Sequence, residues 1–313
     1  MPFKMFSSEE LPGKEWAVLT SDSLFSSPDF VSIWKVLGGR PTFLIDIEGN
    51  IINAGLAGVI FGTGIFRRFR SMPEGLYGGA FYRGNFPESR RAEYESSVVR
   101  YLRKSGCMRA DIFNPPAEVK NVKFARRTAE THIIDLRPGA EVARNLKREA
   151  EIRHGLRSGG EVAEFDGRFL NEHIRLAEAS LASHGRKIYH TREFYQKLYE
   201  LSLRERRILW LMVKEGEKLA ASHIYLTERN QILYWESVFD RSCSDLKPNY
   251  LLLNHAIKIA RDRGVQYFNL GGSPPDADSL VKFKEEWGGA RTEYKFYTYK
   301  NFVGRLYYSG KRA

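Results

Sequence analysis

Cysteine is scarce in this sequence, where Cys107 and Cys243 are the only two among 313 residues. Two cysteines are too few for the disulfide framework of a small secreted domain. No Cys-x-x-Cys pair and no His/Cys cluster has the spacing of a zinc site. The sequence therefore excludes a disulfide scaffold and predicts no metal site.

Long apolar runs are also missing. No window approaches the roughly 18 consecutive apolar residues of a membrane-spanning helix. The first 16 residues, MPFKMFSSEELPGKEW, lack the apolar core of a signal peptide. We therefore expect a cytoplasmic protein without a transmembrane segment, whose charge still allows peripheral contact with an acidic membrane surface.

Acidic residues are outnumbered by basic ones. The chain has 49 Lys and Arg against 38 Asp and Glu, a formal net charge of +11. This excess favours an anionic partner such as tRNA, a nucleotide-linked sugar, CoA or a membrane surface, although a basic protein can also be merely soluble. Hydrophobic residues at 42% and charged residues at 28% are typical of a globular protein.

Two patterns occur twice along the chain, in the same order. The first is an apolar run, a Glu-Gly turn and a second apolar run, a hairpin signature found at Gly49 and at Gly216. The second is a basic helix end closed by a glycine and followed by a strand, at Gly106 and at Gly264. The repeated order favours a duplicated α/β unit over chance.

The break Arg137-Pro138-Gly139 separates a strand from a long helix, so we predict domains over residues 1–139 and 140–313. Hairpins followed by crossover helices predict an α/β (α+β) fold of mixed sheets covered by helices. The expected strands are 42–47, 51–61, 64–70, 109–114, 131–136, 161–165, 206–214, 218–227, 231–239, 266–270 and 291–300. The expected helices are 28–37, 88–105, 140–156, 168–183, 191–204, 248–263 and 278–287.

The segment from Tyr267 to Tyr299 carries the most informative pattern. Paired glycines in it let the backbone turn, or approach a ligand, without a clash at Cβ. In order, the segment holds a strand that ends in Gly271-Gly272, a short helix with Phe283-Lys284, the triplet Trp287-Gly288-Gly289, and an aromatic strand.

This cluster resembles the C-terminal signature of the FemAB-like aminoacyl and acyl transferases, a branch of the GNAT N-acyltransferase superfamily. The resemblance extends over most of the chain and is strongest after Ala140. It implies two tandem GNAT-like domains with mixed, mostly antiparallel sheets flanked by helices. Weaker matches in the order of the family are Tyr77-Gly78-Gly79, the basic helix 145–153 and the turn Lys247-Pro248-Asn249-Tyr250.

The resemblance also implies a reaction. Members transfer an activated acyl or aminoacyl group, from acyl-CoA or aminoacyl-tRNA, to an amine of a cell-envelope precursor or another small amino compound. The expected partners are therefore a small-molecule amine and, for one donor, tRNA, with no role for DNA. The alternative is a non-catalytic RNA- or nucleotide-binding module on a degenerate GNAT scaffold, since a fold alone does not determine function.

The sequence departs from the family pattern at the donor site. Ordinary GNAT enzymes hold the CoA pyrophosphate with an Arg/Gln-x-x-Gly-x-Gly/Ala loop, but the corresponding place holds the residues from Lys247 to Leu252. The coiled-coil arm of some tRNA-using relatives is also missing, because no segment sustains heptads. The donor thus stays open between acyl-CoA and aminoacyl-tRNA.

Aminolysis of an activated acyl group passes through a tetrahedral oxyanion, so it needs donors or positive charge at that oxygen and an acceptor for the amine proton. The resemblance gives Lys284 the role at the oxyanion or the leaving phosphate. The competing interpretation is that Lys284 belongs to a solvated helix face with neighbouring glutamates.

Glu236 is the candidate for the proton acceptor, since it is a charged residue in the apolar strand LYWESVF. Such a position often means a raised pKa, although Glu236 can equally pair with a buried arginine. Weaker candidates for the base are His184, His223 and Asp111.

The remaining site candidates are expected to bind substrate or cofactor. Arg144, Lys147 and Arg148 share a helix face and can converge on a polyphosphate, or can simply be exposed. The full set of binding candidates is Gly271, Gly272, Phe283, Trp287, Asn249, Tyr250, Lys247, Arg148, Lys35 and Tyr77.

Overall fold

A computed structural model describes residues 3–113, 125–140, 145–183, 185, 187–273 and 277–309. Contacts divide the chain into two compact units. The first consists of Met1–Ala129 and Glu293–Ala313, and the second of Glu130–Thr292. Each unit has a mixed, mostly antiparallel sheet with helices packed on it, which confirms the predicted fold class.

The described part of the chain has no helix long and apolar enough to cross a membrane. Its strands are β1 (Phe3–Phe6), β2 (Arg40–Glu48), β3 (Ile51–Phe61), β4 (Arg68–Arg70), β5 (Phe81–Tyr82), β6 (Arg109–Phe113), β7 (Ala125–Asp135), β8 (Glu161–Glu164), β9 (Ile208–Glu215), β10 (Lys218–Glu228), β11 (Gln231–Phe239), β12 (Tyr267–Asn269) and β13 (Ala290–Lys300). Its helices are α1 (Gly13–Leu19), α2 (Pro28–Ser32), α3 (Glu88–Lys104), α4 (Leu146–Arg157), α5 (Leu170–Ala182), α6 (Arg192–Ser202), α7 (Pro248–Asp262), α8 (Asp278–Glu286) and α9 (Phe302–Ser309). Single 3-10 turns cover Ile33–Leu37, Gly64–Phe66, Gly167–Phe169 and Arg241–Leu246.

The sheet of the first unit has the strand order β1-β2-β3-β4-β6-β13, with β5 beside β3. Strands β4 and β6 pair in parallel, and the other described pairs are antiparallel. Helix α3 covers this sheet with Tyr94, Val98 and Leu102, which recur at helical spacing and are buried. The Tyr94 hydroxyl donates to the Leu44 carbonyl oxygen at 2.7 Å, so the one polar atom of this face is satisfied.

The sheet of the second unit has the order β7-β12-β11-β10-β9-β8. Strands β11 and β12 pair in parallel, and the other pairs are antiparallel. Helix α7 lies between β11 and β12 in the chain and supplies the crossover that a parallel pair requires. It buries Leu252, Ala256 and Ala260 in a core that includes Phe268 of β12.

Both repeated patterns have the local structure that the sequence predicts. Gly49 and Gly216 join the antiparallel pairs β2–β3 and β9–β10, with φ of +60° and +59°. Gly106 and Gly264 follow α3 and α7, with φ of +74° and +71°, in the left-handed region that favours glycine after a helix. The two hairpins and the two helix ends are therefore confirmed.

Several elements differ from the expected ones. Helix α4 begins at Leu146, because the Asn145 side chain accepts the Arg148 N–H at 2.9 Å and caps it there. The expected helix start at 140 is followed by residues 141–144, which lie outside the described part. Strands β1 and β5 and helices α1 and α9 are additional elements that the hydrophobic periodicity does not reveal.

The units that the contacts define differ in their limits from the predicted domains. The contacts assign residues 293–313 to the first unit and begin the second at Glu130. The division into duplicated domains 1–139 and 140–313 stays a prediction.

Candidate active site at the end of strand β12

Strands β11 and β12, which lie in the second unit, diverge after a short parallel pairing. Their parallel pairing runs from Gln231 opposite Tyr267 to Leu233 opposite Asn269, where β12 ends. Strand β11 continues to Phe239, and its register with β10 shifts by one residue at Trp235, which is a β-bulge. The carboxyl end of a parallel pair that separates in this way is a usual place for a ligand.

Asn269 fixes the path of the chain where it leaves β12. Its buried side-chain oxygen accepts hydrogen bonds from the Thr131 hydroxyl at 2.5 Å and from the Gly271 N–H at 2.8 Å. Gly271 has φ of +75°, a conformation that side chains with Cβ rarely adopt. The glycine pair predicted as a site therefore forms a fixed turn at the end of the strand.

Lys284 on α8 reaches into this turn and is only 3% exposed. Its ammonium donates to the carbonyl oxygens of Gly271 and Gly272, at 2.8 and 2.7 Å, and to the Ser273 hydroxyl at 3.0 Å. An ammonium has three N–H donors, so all of them are used by the loop. The competing interpretation of a solvated helix face is therefore wrong for Lys284, although Lys282 is exposed.

The charge of Lys284 is not neutralised locally. In the described residues no carboxylate forms an ion pair with it, and burial lowers its pKa to about 8. Because neutral oxygens do not cancel the charge of a buried cation, that charge still acts on other groups nearby. Lysines in such surroundings are more frequent at functional sites than elsewhere.

The three hydrogen bonds of Lys284 also orient two peptide groups. In a planar trans peptide the C=O and N–H bonds point to opposite sides, and no described peptide here is cis. Because the carbonyls of Gly271 and Gly272 point at the ammonium, the N–H groups of Gly272 and Ser273 point away from it. Neither N–H has an acceptor in the part of the chain that the structure describes. Two adjacent donors are thus free to bind an oxygen.

His132 lies beside this loop on β7, where its carbonyl oxygen accepts the Leu270 N–H at 2.8 Å. The residue is 2% exposed, and neither ring nitrogen has a hydrogen-bond partner among the described residues. Burial, followed by the charge of Lys284, lowers its pKa below the usual value. Burial and the nearby charge therefore favour the neutral form of the imidazole, which can accept a proton.

Three of the predicted binding residues form an aromatic cluster. The rings of Tyr250 and Phe283 are 5.5 Å apart, and both contact Trp287, at 6.0 and 6.3 Å. Tyr250 begins α7 and the other two lie on or just after α8, so the cluster joins these helices. Trp287 is 2% exposed, and its indole N–H has no partner in the described residues.

The basic face of α4 contacts the end of α8. The Arg148 guanidinium lies 5.3 Å from the centre of the Trp287 ring and donates to the Glu286 carbonyl oxygen at 3.1 Å. Lys147 forms an ion pair of 2.6 Å with the Glu286 carboxylate, which the Tyr250 hydroxyl also contacts at 3.4 Å. The predicted residues Arg148, Tyr250, Phe283 and Trp287 are therefore neighbours, while Arg144 lies outside the described residues.

Lys247 and Asn249 occupy the turn before α7. Lys247 has φ of +47° and forms an ion pair of 3.2 Å with Glu151. The Asn249 side-chain oxygen binds Nε2 of His223 at 2.9 Å, and burial lowers the pKa of His223 to about 4. His223 also contacts the Tyr225 hydroxyl at 2.8 Å. Asn249 thus holds a buried histidine, and its role in binding stays a prediction.

Glu236 has partners that the sequence does not reveal. His173 Nε2 lies 3.0 Å from its carboxylate, the Tyr195 hydroxyl donates at 2.8 Å, and His190 Nδ1 is 3.5 Å away. Burial acts to raise its pKa, but the hydrogen bonds with His173 and His190 outweigh burial and lower the pKa to about 2. The expected raised pKa is therefore wrong, and the partners are histidines instead of an arginine.

The other candidates lie in the first unit or outside the described residues. Lys35 pairs with Glu9, and the Tyr77 ring contacts Tyr294 at 5.4 Å. Asp111 accepts hydrogen bonds from Arg109 and Thr298, so its charge is satisfied. His184 is outside the described part of the chain, in which no group of three or more His, Cys, Asp or Glu could hold a metal ion.

Sequence reasoning did not single out His132 and His173, two histidines at buried strand and helix positions. His132 follows Thr131 near the end of β7, and His173 lies on the apolar face of α5 with Leu170 and Leu176. A histidine on an apolar face is the signal that could have found both. Their partners come from distant segments, and no sequence spacing predicts those.

Residues 140–295 match the model of the acetyltransferase (GNAT) domain family. The structure of FemX covers 99% of both chains with a TM-score of 0.70 at 12% identity. The C-terminal domain of a putative lysylphosphatidylglycerol synthetase from Agrobacterium fabrum matches over 96% of this chain and 95% of that one, with a TM-score of 0.60 at 11% identity. A tandem GNAT protein from the clavulanic acid biosynthesis pathway has a TM-score of 0.52 at 9% identity, over 95% and 98% of the two chains.

No curated protein sequence shows significant similarity to the chain. At such low identities the solved structures show a shared fold, and the family match covers the unit that contains Lys284. The GNAT domain and the full-length similarity to FemX agree with the resemblance given by the C-terminal cluster. The chain is therefore an acyltransferase with a GNAT domain over residues 140–295, and its fold is shared with FemX over its whole length.

Proposed function

We propose that this enzyme transfers an acyl or aminoacyl group, from acyl-CoA or aminoacyl-tRNA, to an amine of a cell-envelope precursor or another small amino compound. The observation that carries the proposal is the loop at Gly271–Gly272, whose two carbonyls are held by a buried ammonium. The N–H groups of Gly272 and Ser273 that follow have no acceptor among the described residues. Such a pair of N–H groups can hold the oxygen of an acyl group under attack.

In this mechanism the amine nitrogen attacks the acyl carbon, and the carbonyl oxygen becomes an oxyanion bound by the N–H groups of Gly272 and Ser273. Lys284 acts as a positioning residue, since it keeps both peptide groups in place. Its charge also polarises them, which strengthens the two donors. One donor of this kind typically lowers the barrier by about 3–4 kcal/mol.

His132 is the proposed acceptor of the amine proton. Burial favours its neutral form, and its ring nitrogens have no hydrogen-bond partner among the described residues. Because both nitrogens are buried, the amine reaches them only when the surrounding site opens. The new N–C bond forms as the proton leaves the nitrogen, and the intermediate then expels the thiol of CoA or the ribose hydroxyl of tRNA, which takes up a proton. Glu236, with a pKa of about 2, is a much weaker base at neutral pH.

The identity of the acyl donor stays open between acyl-CoA and aminoacyl-tRNA. Pro248 has no N–H, and the N–H groups of Tyr250 and Leu251 both bond the Lys247 carbonyl oxygen. The first turn of α7 therefore offers fewer donors to a pyrophosphate than a glycine-rich loop does. The net charge of +11 favours a polyanion. Both donors are made in the cytoplasm, which is where we propose that the enzyme works, with peripheral membrane contact where the acceptor is lipid-linked.

A direct comparison of donors tests the proposal. Purified protein is titrated with acetyl-CoA, a longer acyl-CoA and bulk aminoacylated tRNA, at low and high salt, and each mixture is then assayed for transfer to primary amines. Saturable binding of one donor with transfer that is lost in Lys284→Met supports the proposal. Preferential binding of charged tRNA with a steep salt dependence identifies the aminoacyl donor. Binding of uncharged and charged tRNA alike, without transfer, would favour the non-catalytic nucleotide-binding module.

A further inference from the structure

Helix α9 in the first unit presents apolar side chains to solvent. It packs on the unit through Gly304, where a Cβ would overlap the Met108 carbonyl oxygen, and the Asn301 side chain caps its start by accepting the Gly304 N–H at 2.8 Å. Phe302 and Leu306 lie one turn apart on the opposite face and are 74% and 60% exposed. The contact at Gly304 thus holds the helix with this apolar face outward.

A second apolar element lies beside α9. Ile65 and Phe66, in the 3-10 turn before β4, are both exposed. The Phe66 ring lies 6.1 Å from the ring of Tyr307, which is also exposed. The side chains of Ile65, Phe66, Phe302, Leu306 and Tyr307 therefore form one apolar surface. Single exposed apolar residues are normal, but a group of them marks a site of interaction.

A row of cations lies next to this apolar surface. The strand register places Arg68 of β4 opposite Arg109 of β6, and Arg109 opposite Lys300 of β13. Paired residues on neighbouring strands share a face of the sheet, so the three cations lie side by side. The guanidinium of Arg109 and the ammonium of Lys300 are each 4.9 Å from the centre of the Tyr308 ring on α9. The basic row therefore adjoins the helix.

The charge beside the apolar surface is positive. Arg305 is exposed on α9 between Phe302 and Leu306. Arg109 pairs with Asp111, whereas Arg68, Lys300 and Arg305 form no ion pair with the described residues. Neither of the two segments that build the surface, 49–73 and 294–313, contains an Asp or a Glu. A partner of this surface must therefore be both anionic and apolar.

From this combination we infer that the apolar surface and the basic row bind an anionic lipid bilayer. Phe302, Leu306 and the turn at Ile65 enter the headgroup region, and the cations contact lipid phosphates. A second copy of the chain fits less well, because a two-fold interface would bring the same cations together. Nucleic acid is bound through phosphates and stacked aromatic rings, a role that the aliphatic Ile65 and Leu306 do not fill.

The inference specifies the peripheral membrane contact that is part of the proposed function, and it depends on no catalytic residue. Lys284→Met should therefore bind vesicles as the wild type does. Leu306→Gln should transfer the acyl group to a water-soluble amine at the wild-type rate. Vesicle binding without transfer would contradict the proposed function alone, and transfer without vesicle binding would contradict this inference alone.

Co-sedimentation of the full-length protein with vesicles tests the inference. One set of vesicles contains phosphatidylglycerol and phosphatidylcholine in equal parts, and the other contains phosphatidylcholine alone. We expect binding to the anionic vesicles that weakens with salt, and much weaker binding to the neutral ones. Phe302→Gln and Leu306→Gln should each weaken binding about fivefold to tenfold, because apolar area leaves the headgroup region. Arg305→Gln should weaken it about fivefold on the anionic vesicles only.

Leu203→Gln and Arg206→Gln are the matched controls, since they make the same substitutions at exposed positions of the second unit. Both should bind as the wild type does. The inference is overturned by no binding to anionic vesicles, by unchanged binding in Phe302→Gln and Leu306→Gln, or by an equal loss in the controls. A concentration-dependent dimer, or binding of uncharged tRNA, that Leu306→Gln abolishes while vesicle binding stays unchanged would assign the surface to that partner instead.

Discussion

The second unit holds two clusters around a buried charged side chain, and the groups that surround the charge differ between them. Lys284 is a cation whose partners are neutral oxygens, and burial lowers its pKa to about 8. Glu236 is an anion with two histidines and a tyrosine around it, and its pKa falls to about 2. The first cluster keeps a cation without an ion-pair partner among the described residues, beside a loop with two N–H groups that have no acceptor there, whereas the second surrounds its carboxylate with two imidazoles and a tyrosine hydroxyl. We propose that the first cluster serves the chemistry and the second the stability of the fold.

The sharpest way to test this comparison is to remove the ammonium. Lys284→Met should lower the single-turnover rate of acyl transfer about 10²–10³-fold, because the N–H groups of Gly272 and Ser273 lose the contact that orients them, which should cost about as much as losing an oxyanion-hole donor. The fold should survive, because the substitution removes a buried charge and keeps an unbranched apolar chain. Rates from rapid quench and thermal unfolding by circular dichroism check both statements.

Lys282→Met is the matched control, since Lys282 is exposed on the same helix. A wild-type rate in Lys284→Met would remove Lys284 from the mechanism. Cooperative unfolding that disappears in Lys284→Met but persists in Lys282→Met would show that the lysine serves the fold alone.

The next largest effect is expected at His132. His132→Gln should lower the transfer rate about 10²-fold, since general bases typically contribute about 10²–10⁴. In the wild type the rate should rise with pH as His132 loses its proton, below its ordinary pKa, and fall again above about 8 as Lys284 is deprotonated. In the variant the rising limb should vanish and the falling limb should remain.

A pH–rate profile with one amine acceptor in both proteins checks this. A rising limb of unchanged position in His132→Gln would show that another group, or the amine itself, accounts for it. Loss of the falling limb in that variant would contradict its assignment to Lys284.

Removing the charge of the other cluster should affect stability instead of rate. Glu236→Gln should reduce the free energy of unfolding by about 1–3 kcal/mol, because the amide keeps only one of the two acceptor oxygens that contact His173, Tyr195 and His190. Since the folded pKa of Glu236 is depressed, its stabilisation is present above the unfolded pKa and is lost as pH falls toward about 2. The wild type should therefore lose more stability on acidification than Glu236→Gln does.

Urea unfolding at several pH values measures this, with Glu193→Gln on the exposed face of α6 as the control. The transfer rate per folded molecule should stay within a few-fold of wild type. A hundredfold loss of rate at unchanged stability would reverse the assignment of the two clusters.

Features that depend on neighbouring residues were predictable from the sequence, whereas contacts between distant segments were not. Hairpin turns at Gly49 and Gly216 and helix ends at Gly106 and Gly264 were predictable, because each depends on a few neighbouring residues. The C-terminal pattern also predicted that Lys284 and the glycine pair belong together. Partners were not predictable where they come from distant segments, as His173 and His190 do for Glu236.

That difference explains why the sequence suggested a site at Glu236 but the wrong direction for its pKa. An apolar strand such as LYWESVF shows that a charge is buried, and burial alone raises a carboxyl pKa. The sign of the net shift depends on which donors surround it in three dimensions. The orientation of the Gly272 and Ser273 N–H groups is likewise set by Lys284. This lysine lies only 12 and 11 residues further along the chain, but the fold alone brings its ammonium to the loop.

The smallest effect is expected at a cation that differs from Lys284 in both respects, being exposed and paired. Lys147 contacts the Glu286 carboxylate at 2.6 Å on the same helix α8, and its side chain is 62% exposed. Lys147→Met should change the free energy of unfolding by less than about 1 kcal/mol, as is usual for surface ion pairs.

If the basic face of α4 binds the phosphates of tRNA, the slope of log K for tRNA binding against log salt concentration should become shallower by about 0.7–0.9 in the same variant. Parallel unfolding and tRNA titrations separate the two roles: a large loss of stability would contradict the surface ion pair, and an unchanged salt slope would exclude Lys147 from the phosphate contacts.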